Sequence, residues 1–295
     1  MIQTSKFKSW KTQLRAHHWV KNILVFVPAA ANHTILDPES ILNGVIIFAL
    51  FSIAASSIYL VNDLVDLESD RKNSTKRFRP LAAGEIKESQ AIFGSIFLIV
   101  LGSILTVILK PSLIPVLCLY ILLNLLYSFR LKKIPILDVI LLAVMYEMRI
   151  IAGGISMSIE LSTWLISSSS FFFLSMAFAK RYAELSNIYT ISGSTNPRRG
   201  YKKEDILTLQ TLGVVSSFSS VLIFNLYIND PLTTTLYSEP KRLLFLLPIL
   251  TFVLSKKWLD VSRQEASEDP VIDFLRDRVN LFLVPFFLIV ITTAI

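Results

Sequence analysis

Residues 41–70 read ILNGVIIFALFSIAASSIYLVNDLVDLESD. The stretch begins with an apolar run of about 20 residues, which is the length an α-helix needs to cross the hydrocarbon core of a bilayer. It ends on three aspartates, Asp63, Asp66 and Asp70. If the helix continues through them, their spacing places the three carboxylates on one helix face. The stretch therefore predicts a membrane helix that carries an acidic cluster at its end.

The rest of the chain has the same membrane character. Of its 295 residues, 53% are hydrophobic and 17% are charged, and the mean hydropathy is +0.58. A soluble domain usually has about 25% charged residues. Because the apolar runs are continuous rather than alternating, they indicate helices and not a β-barrel. We predict an all-α, polytopic membrane protein of about nine transmembrane helices, near residues 22–36, 41–62, 91–109, 112–129, 135–154, 163–179, 206–228, 242–258 and 277–295.

The basic residues are distributed unequally between the predicted loops. With the N-terminus inside, the outward loops hold Lys110, Lys241 and Arg242, and most of the 29 Lys and Arg lie on the inward side. Positive charge is retained on the cytosolic side of a membrane, so this asymmetry predicts a cytosolic N-terminus in the plasma membrane. The net charge of +7 then reflects loop topology and anionic lipid, and no nucleic-acid partner is expected.

The acidic cluster has the composition of a metal site. Neighbouring carboxylates repel one another unless a cation lies between them, and oxygen ligands of this kind suit Mg²⁺. Basic side chains follow within the next loop, at Lys76, Arg77 and Arg79. A metal on one side and Arg or Lys on the other would together bind a diphosphate. The alternative is a solvated helix end followed by cations that anchor the chain at the membrane surface.

This combination resembles the first signature of the UbiA superfamily of intramembrane prenyltransferases. The residues that carry the resemblance are Asn62, Asp63, Asp66 and Asp70, followed by KRFRPLAAG at residues 76–84. The resemblance implies one membrane-embedded transferase domain over residues 1–295, with its helices around a central cavity. It also implies an active-site face on the cytosolic loops at about 63–90, 130–134 and 180–205. The three aspartates would be both Mg²⁺ ligands and catalytic residues.

Two later segments narrow the choice within the superfamily. Tyr127 and Lys132, with Asp138 after them, resemble the family's Tyr/Lys element between the fourth and fifth spans, although an interfacial Tyr with anchoring cations has the same pattern. After the sixth span, typical members carry a second Asp-rich motif. This chain has KRYAEL at residues 180–185 there, with one carboxylate beside two cations. Such a segment suits two phosphorylated substrates, one held on Mg²⁺ and one on Lys or Arg.

The order of these elements is similar to the decaprenyl-phosphate phosphoribosyltransferase branch. The matching segments are WVKN at 19–22, KRFRP at 76–80, YSFRLK at 127–132 and KRYAEL at 180–185. The resemblance implies transfer of 5-phosphoribose from phosphoribosyl diphosphate to a polyprenyl phosphate, in the synthesis of a cell-wall or glycan precursor. The substrate-binding residues would be Lys21, Asn62, Lys76, Arg77, Arg79, Tyr127, Lys132, Asp138, Arg149, Lys180, Arg181 and Glu184.

Several alternatives remain open from the sequence. Arg149 lies inside the fifth predicted span with Glu147 near it, and a charge at that depth either lines a cavity or forms a structural salt bridge. A UbiA-type enzyme that moves a polyprenyl group from its diphosphate to an aromatic acceptor would share the first motif. A transporter would also have many helices, but we find no paired inverted repeats. An oligomer is compatible with the sequence.

Overall fold

The computed structural model describes residues 6–73, 75–190, 200–265, 273–274 and 277–295. Every regular element in these ranges is a helix, which confirms the predicted all-α class. The α-helices are α1 (Lys6–Gln13), α2 (Val27–Ala31), α3 (Pro38–Val65), α4 (Leu67–Arg71), α5 (Glu88–Leu109), α6 (Ile114–Phe129), α7 (Leu137–Met157), α8 (Thr163–Thr190), α9 (Asp205–Ile228), α10 (Pro231–Leu236), α11 (Leu246–Ser262) and α12 (Arg278–Ala294).

Five of the described helical segments are long and apolar enough to cross a membrane. They are α3, α5, the segment Pro111–Phe129 that includes α6, α7 and α9. They coincide with the predicted spans at 41–62, 91–109, 112–129, 135–154 and 206–228. Three further predicted spans, at 163–179, 242–258 and 277–295, also fall on helices, namely α8, α11 and α12. The chain is therefore an integral membrane protein, and its helices are consistent with the predicted number of spans.

The first predicted span, at 22–36, has a different structure from the one expected. Residues Ala16–Phe26 form a 3₁₀ helix, α2 follows directly, and the helical conformation ends before Asn32. The 11 residues of the 3₁₀ helix rise about 22 Å, because this helix advances about 2 Å per residue. Gly153 of α7 packs against this segment, and a Cβ atom there would collide with the carbonyl oxygen of Val25. The tighter helix thus lies close to the α7 backbone.

The chain divides into two compact units, and each has its own core. The first unit covers residues 1–132 and 148–160, and the second covers 133–147 and 161–295. In the first unit, Leu60 of α3 packs with Leu81, Ile86 and Ala91, and Trp10 of α1 packs against the same cluster. This cluster joins α1, the end of α3 and the start of α5, and it therefore positions the acidic motif. The single transferase domain inferred from the sequence stays a prediction.

The core of the second unit lies between α8, α9 and α11. Its buried members include Phe178, Leu209 and Trp258. The indole of Trp258 lies so close to Gly213 of α9 that a Cβ atom at that position would collide with it. The Trp258 Nε1 donates a hydrogen bond of 2.9 Å to Ser175 Oγ. These contacts hold α8 in place, and α8 carries the predicted residues Lys180, Arg181 and Glu184.

Candidate active site

The acidic motif lies at the junction of two helices. The sequence predicted one continuous helix through the three aspartates, whereas α3 ends at Val65 and α4 begins at Leu67. Asp66, between them, has φ −91° and ψ 2°, which departs from helical values. Asp63 and Asp70 are buried, with exposed fractions of 3% and 2%, whereas the Asp66 side chain is 31% exposed. Asp66, at the break between the two helices, is therefore accessible to solvent, whereas Asp63 and Asp70 on either side of it are buried.

Three cations from distant parts of the chain neutralise the aspartates. Arg79 Nη1 lies 3.1 Å from Asp63 Oδ1 and 2.5 Å from Asp70 Oδ2, so it bridges the two buried carboxylates. Arg15 Nη2 lies 2.5 Å from the same oxygen of Asp63. Lys132 Nζ contacts both oxygens of Asp66, at 2.7 and 2.9 Å. Because a buried charge is costly without a partner, this pairing makes the burial of Asp63 and Asp70 possible.

Two further side chains complete the network. Lys132 Nζ also lies 3.5 Å from Asn62 Oδ1, so the predicted residue Asn62 belongs to the Asp66 end of the motif. Gln13 Nε2 donates a hydrogen bond of 2.7 Å to Asp63 Oδ2. Gln13 and Arg15 were not predicted, because they lie in a basic N-terminal stretch that the sequence analysis treated only as cytosolic. The sequence indicates these two residues only by their position, because they precede the first span on the side of the membrane where the acidic motif emerges.

The residues of the network fit a divalent cation. Asp63 and Asp70 converge on a single nitrogen of Arg79, so one cation reaches an oxygen of each. Mg²⁺ is usually bound by one or two carboxylates together with water and substrate phosphates. Within the described part of the chain, no group of three or more His, Cys, Asp or Glu residues is arranged to hold a metal ion. Because one or two carboxylates are enough for Mg²⁺, the pair Asp63 and Asp70 suits this ion. Asp66 as a third ligand stays a prediction.

The remaining cations of the basic loop have different surroundings. Residues Lys76–Phe78 form a short 3₁₀ turn, and Asn73 Oδ1 accepts hydrogen bonds of 3.0 Å from the backbone N–H groups of Thr75 and Lys76. The guanidinium of Arg77 is exposed and lies 4.8 Å from the centre of the Phe78 ring. Of the basic residues predicted in this loop, Arg79 lies directly on Asp63 and Asp70.

A second polar centre in the first unit surrounds Arg149. This residue is buried, and its Nε donates to Asn22 Oδ1 at 2.8 Å while its Nη2 donates to Tyr120 Oη at 3.1 Å. Its guanidinium also lies 5.3 Å from the centre of the Tyr120 ring. Lys21, the neighbour of Asn22, is buried as well. The structure thus places the predicted residues Lys21 and Arg149 in one region of the first unit.

The neighbouring charge in α7 has its own partners in the second unit. Glu147 is buried and accepts hydrogen bonds from Ser169 Oγ at 2.7 Å and from Ser170 Oγ at 3.2 Å. The serine run of α8 therefore contributes hydrogen-bond donors inside the membrane, where an unsatisfied carboxylate would be costly.

In the second unit, Arg181 is the centre of a buried network. Its Nη2 forms an ion pair of 2.7 Å with Asp138 Oδ2, and its Nη1 pairs with Glu184. Tyr201 Oη donates to Asp138 Oδ1 at 2.5 Å and accepts from the Ile136 N–H at 2.7 Å. Burial, together with the hydrogen bond to Asp138, raises the pKa of the Tyr201 phenol above its ordinary value. The sequence analysis did not identify Tyr201, because a lone tyrosine after a long polar loop carries no pattern.

This network joins three of the predicted residues. Asp138, Arg181 and Glu184 contact one another through the Arg181 guanidinium. Lys180 is partly exposed in α8, and Tyr127 is partly exposed near the end of α6. The roles of all these residues in substrate binding stay predictions.

The helical fold and the paired carboxylates of the acidic motif agree with the class of protein that the sequence predicted, a membrane-embedded transferase. The chain belongs to the UbiA prenyltransferase family, whose family model matches residues 23–275. Its fold is similar to a UbiA homologue from Archaeoglobus fulgidus bound to DMAPP and Mg²⁺, with a TM-score of 0.67 and 16% identity over 97% of this chain and 96% of that one. It is also similar to a digeranylgeranylglyceryl phosphate synthase, with a TM-score of 0.66 and 18% identity over 98% of this chain and 100% of that one.

Curated proteins similar to this chain include a phosphoribosyltransferase, an uncharacterized protein and a nodulation protein. Decaprenyl-phosphate phosphoribosyltransferase of Corynebacterium glutamicum is 40% identical over 176 residues, which are 58% of this chain and 53% of that protein. An uncharacterized protein of Sinorhizobium fredii, y4nM, is 34% identical over 278 residues, which are 94% of this chain and 54% of the relative. Nodulation protein NoeC of Azorhizobium caulinodans is 28% identical over 75% of this chain and 72% of its own length. The chain thus spans about half the length of the first two relatives.

Proposed function

We propose that this chain transfers 5-phosphoribose from phosphoribosyl diphosphate to a polyprenyl phosphate. The observation that carries the proposal is the network around Arg181. Where typical members of the superfamily have a second Asp-rich motif, this chain has one carboxylate, Glu184, and it is paired with Arg181, as is Asp138 of α7. With a single carboxylate of its own, residues 180–185 are poorly suited to a second metal ion. The relatives named decaprenyl-phosphate phosphoribosyltransferase, at 40% identity, support the same reading.

The acidic motif would bind the diphosphate end of the donor. Asp63 and Asp70 would hold Mg²⁺, with Asp66 as a further candidate, and the metal would supply charge neutralisation for the departing diphosphate. Arg15 and Arg79 lie directly at these carboxylates, so their guanidinium groups are placed to donate hydrogen bonds to diphosphate oxygens. Lys132, beside Asp66, would add a further positive charge to the same end of the donor.

The bond that breaks is the one between the anomeric carbon and diphosphate, and the bond that forms joins this carbon to an oxygen of the lipid phosphate. The anomeric carbon would pass through an oxocarbenium-like state, as in other glycosyl transfers. The lipid phosphate is already an anion near neutral pH, so it needs no strong general base. Lys21, Lys180 and other cations outside the acidic motif are candidates for holding the lipid phosphate or the ribose 5-phosphate.

We place this chemistry on the cytosolic side of the plasma membrane. The excess of Lys and Arg on the inward loops supports that orientation. The acidic motif begins where α3 ends, so a donor dissolved in the cytosol would meet it at the membrane surface. The product would be a lipid-linked precursor for a cell-wall or other glycan.

A second candidate function is the transfer of a prenyl group from its diphosphate to an aromatic acceptor. The similarity in fold to UbiA homologues whose structures contain DMAPP or GPP with Mg²⁺ favours it. Both functions would use the acidic motif for a Mg²⁺-diphosphate, and they differ in which substrate carries that diphosphate.

A donor test on purified protein in detergent with Mg²⁺ separates the two candidates. One reaction contains polyprenyl phosphate and radiolabelled phosphoribosyl diphosphate, and the other contains labelled polyprenyl diphosphate and 4-hydroxybenzoate. We expect label to enter the lipid phase in the first reaction. Product in the second reaction alone would overturn the proposal in favour of prenyl transfer. Activity in detergent, without a sealed compartment, would also separate an enzyme from a transporter.

A further inference from the structure

The N-terminal helix α1 is fastened to the turn that carries Arg79. Ser9 Oγ donates a hydrogen bond of 2.6 Å to Glu85 Oε2. The Trp10 ring packs in the cluster around Leu81 and faces Gly94, where a Cβ atom would lie 3.3 Å from it. Ser9 and Gln13 are buried although α1 as a whole is polar. The helix is therefore built into the first unit beside the acidic motif.

Gln13 joins two separate parts of the site through one side-chain amide. Its Nε2 donates to Asp63 Oδ2 at 2.7 Å, and its Oε1 accepts from the Leu81 N–H at 3.0 Å. The backbone N–H can only donate and an ionised carboxylate can only accept, so just one orientation of the amide satisfies both. Gln13 is 1% exposed, so bulk water does not compete for the two hydrogen bonds of its amide.

The two oxygens of Asp63 consequently have different partners. Oδ2 is held by the neutral amide of Gln13, whereas Oδ1 faces the guanidinium groups of Arg15 and Arg79, at 2.5 and 3.1 Å. Arg15 reaches this position from a left-handed backbone conformation, with φ 51°, and its guanidinium lies 4.9 Å from the centre of the Tyr59 ring. Because Oδ1 already faces positive charge, it is the oxygen of Asp63 that is placed to bind a metal cation.

We infer that Gln13 is a positioning residue that holds Oδ2 of Asp63 and thereby directs Oδ1 towards the divalent cation, and that Arg15 competes with that cation for Oδ1. The inference rests on the proposed function, because it takes Asp63 as a metal ligand. Gln13 and Arg15 both precede residues 23–275, which match the family model. Membership of the family therefore does not by itself assign them a role.

The two residues have opposite effects on metal affinity in this scheme. Ligating carboxylates depend on a hydrogen-bonding partner for their orientation, and loss of such a partner typically weakens metal binding about 10–100-fold. Gln13→Met, which removes the amide but keeps the length of the side chain, should weaken binding by that amount. Arg15→Gln removes a cation that competes for Oδ1, so it should tighten binding. A purely structural role of α1 would weaken metal binding in both variants.

The test is a titration of purified protein in detergent with Mn²⁺, without substrate, in which electron paramagnetic resonance measures free Mn²⁺. Lys11→Gln is the matched control, because Lys11 is exposed on the same helix and its loss changes the net charge as Arg15→Gln does. Weaker binding for Gln13→Met, tighter binding for Arg15→Gln and unchanged binding for Lys11→Gln would support the inference. Gel filtration and thermal melting would establish that each variant is folded.

Two results would overturn the inference while leaving the proposed function intact. One is a folded Gln13→Met variant that binds Mn²⁺ as tightly as the wild type. The other is weaker binding by Arg15→Gln, and this result decides the question even if Gln13→Met does not fold. A wild-type protein that binds no Mn²⁺ would overturn both the inference and the metal site of the proposed function. The titration contains no donor or acceptor, so the identity of the substrates does not affect it.

Discussion

Lys132 Nζ contacts both carboxylate oxygens of Asp66, at 2.7 and 2.9 Å, although 66 positions separate the two residues in the chain. The contact brings the turn after α6 to the junction of α3 and α4. It also places a cation beside the one aspartate of the motif that is substantially exposed. With its side chain 31% exposed, Asp66 is the carboxylate of the motif that is most open to an incoming diphosphate.

Replacing Lys132 by Met should reduce phosphoribosyl transfer severely. Loss of one positively charged or hydrogen-bonding group at developing negative charge typically costs about 100-fold or more in kcat. Initial rates with labelled phosphoribosyl diphosphate would measure the effect. Lys133→Met is the matched control, because Lys133 is the next residue and is exposed. Equal rates for Lys132→Met and the control would exclude Lys132 from the site.

Asp66→Asn should abolish transfer without unfolding the protein. Asp66 is partly exposed, so the loss of its pairing with Lys132 costs little stability, whereas the loss of its charge removes a candidate metal ligand. Transfer in the presence of excess Mg²⁺ and the thermal melting temperature would be measured on the same preparation. Undiminished turnover by this variant would remove Asp66 from the metal site and leave Asp63 and Asp70 as the ligands.

Arg79→Met should lower the stability of the protein in the absence of metal. Arg79 bridges two buried carboxylates, and removing one partner of a buried ion pair typically costs about 3–5 kcal/mol. Because Arg79 would then no longer bridge Asp63 and Asp70, Mg²⁺ should raise the melting temperature of this variant more than that of the wild type. Melting curves with Mg²⁺ and with EDTA would measure this difference. Identical Mg²⁺ effects on the two proteins would contradict a cation site between the two aspartates.

Tyr201→Phe should lower stability in a pH-dependent manner. The variant loses the hydrogen bonds to Asp138 and Ile136, which we expect to cost about 1–2 kcal/mol. Burial raises the pKa of Tyr201 in the folded state, so the folded protein favours the neutral phenol. This stabilisation is present below the unfolded-state pKa of about 10 and is lost as the pH rises above it. The difference in melting temperature between wild type and variant should therefore shrink above about pH 10.

The matched control for Tyr201 is Tyr189→Phe, since Tyr189 packs against the same cluster of the second unit. A constant difference between wild type and Tyr201→Phe from neutral to alkaline pH would show that the Tyr201 phenol contributes no such pH dependence. A similar loss of stability in both variants would show that the effect belongs to the cluster rather than to the hydrogen bonds of Tyr201.

The all-α class followed from the sequence. The backbone N–H and C=O groups of a long apolar run in lipid must form hydrogen bonds within the run, and an α-helix provides them. The predicted span at 41–62 lies within α3, and the one at 206–228 lies within α9. The segment at 22–36 was predicted less well. Its apolar residues do not distinguish a 3₁₀ helix from an α-helix, and the 3₁₀ form brings Val25 against Gly153, a contact that depends on residues far away in the chain.

By itself, the sequence determined that the protein is a helical membrane protein with an acidic motif at the end of α3, because hydropathy and residue spacing are local properties of the chain. The transferase class followed from the resemblance of its motifs to those of the UbiA superfamily. Only the tertiary structure decided how the charges of this motif are paired. It placed Gln13 and Arg15 on Asp63, Arg79 between Asp63 and Asp70, and Lys132 on Asp66. Several of these partners lie tens of residues apart in the chain. Which cation reaches which carboxylate depends on how α1, the turn before α5 and the turn after α6 pack around α3, and helical periodicity carries no information about that packing.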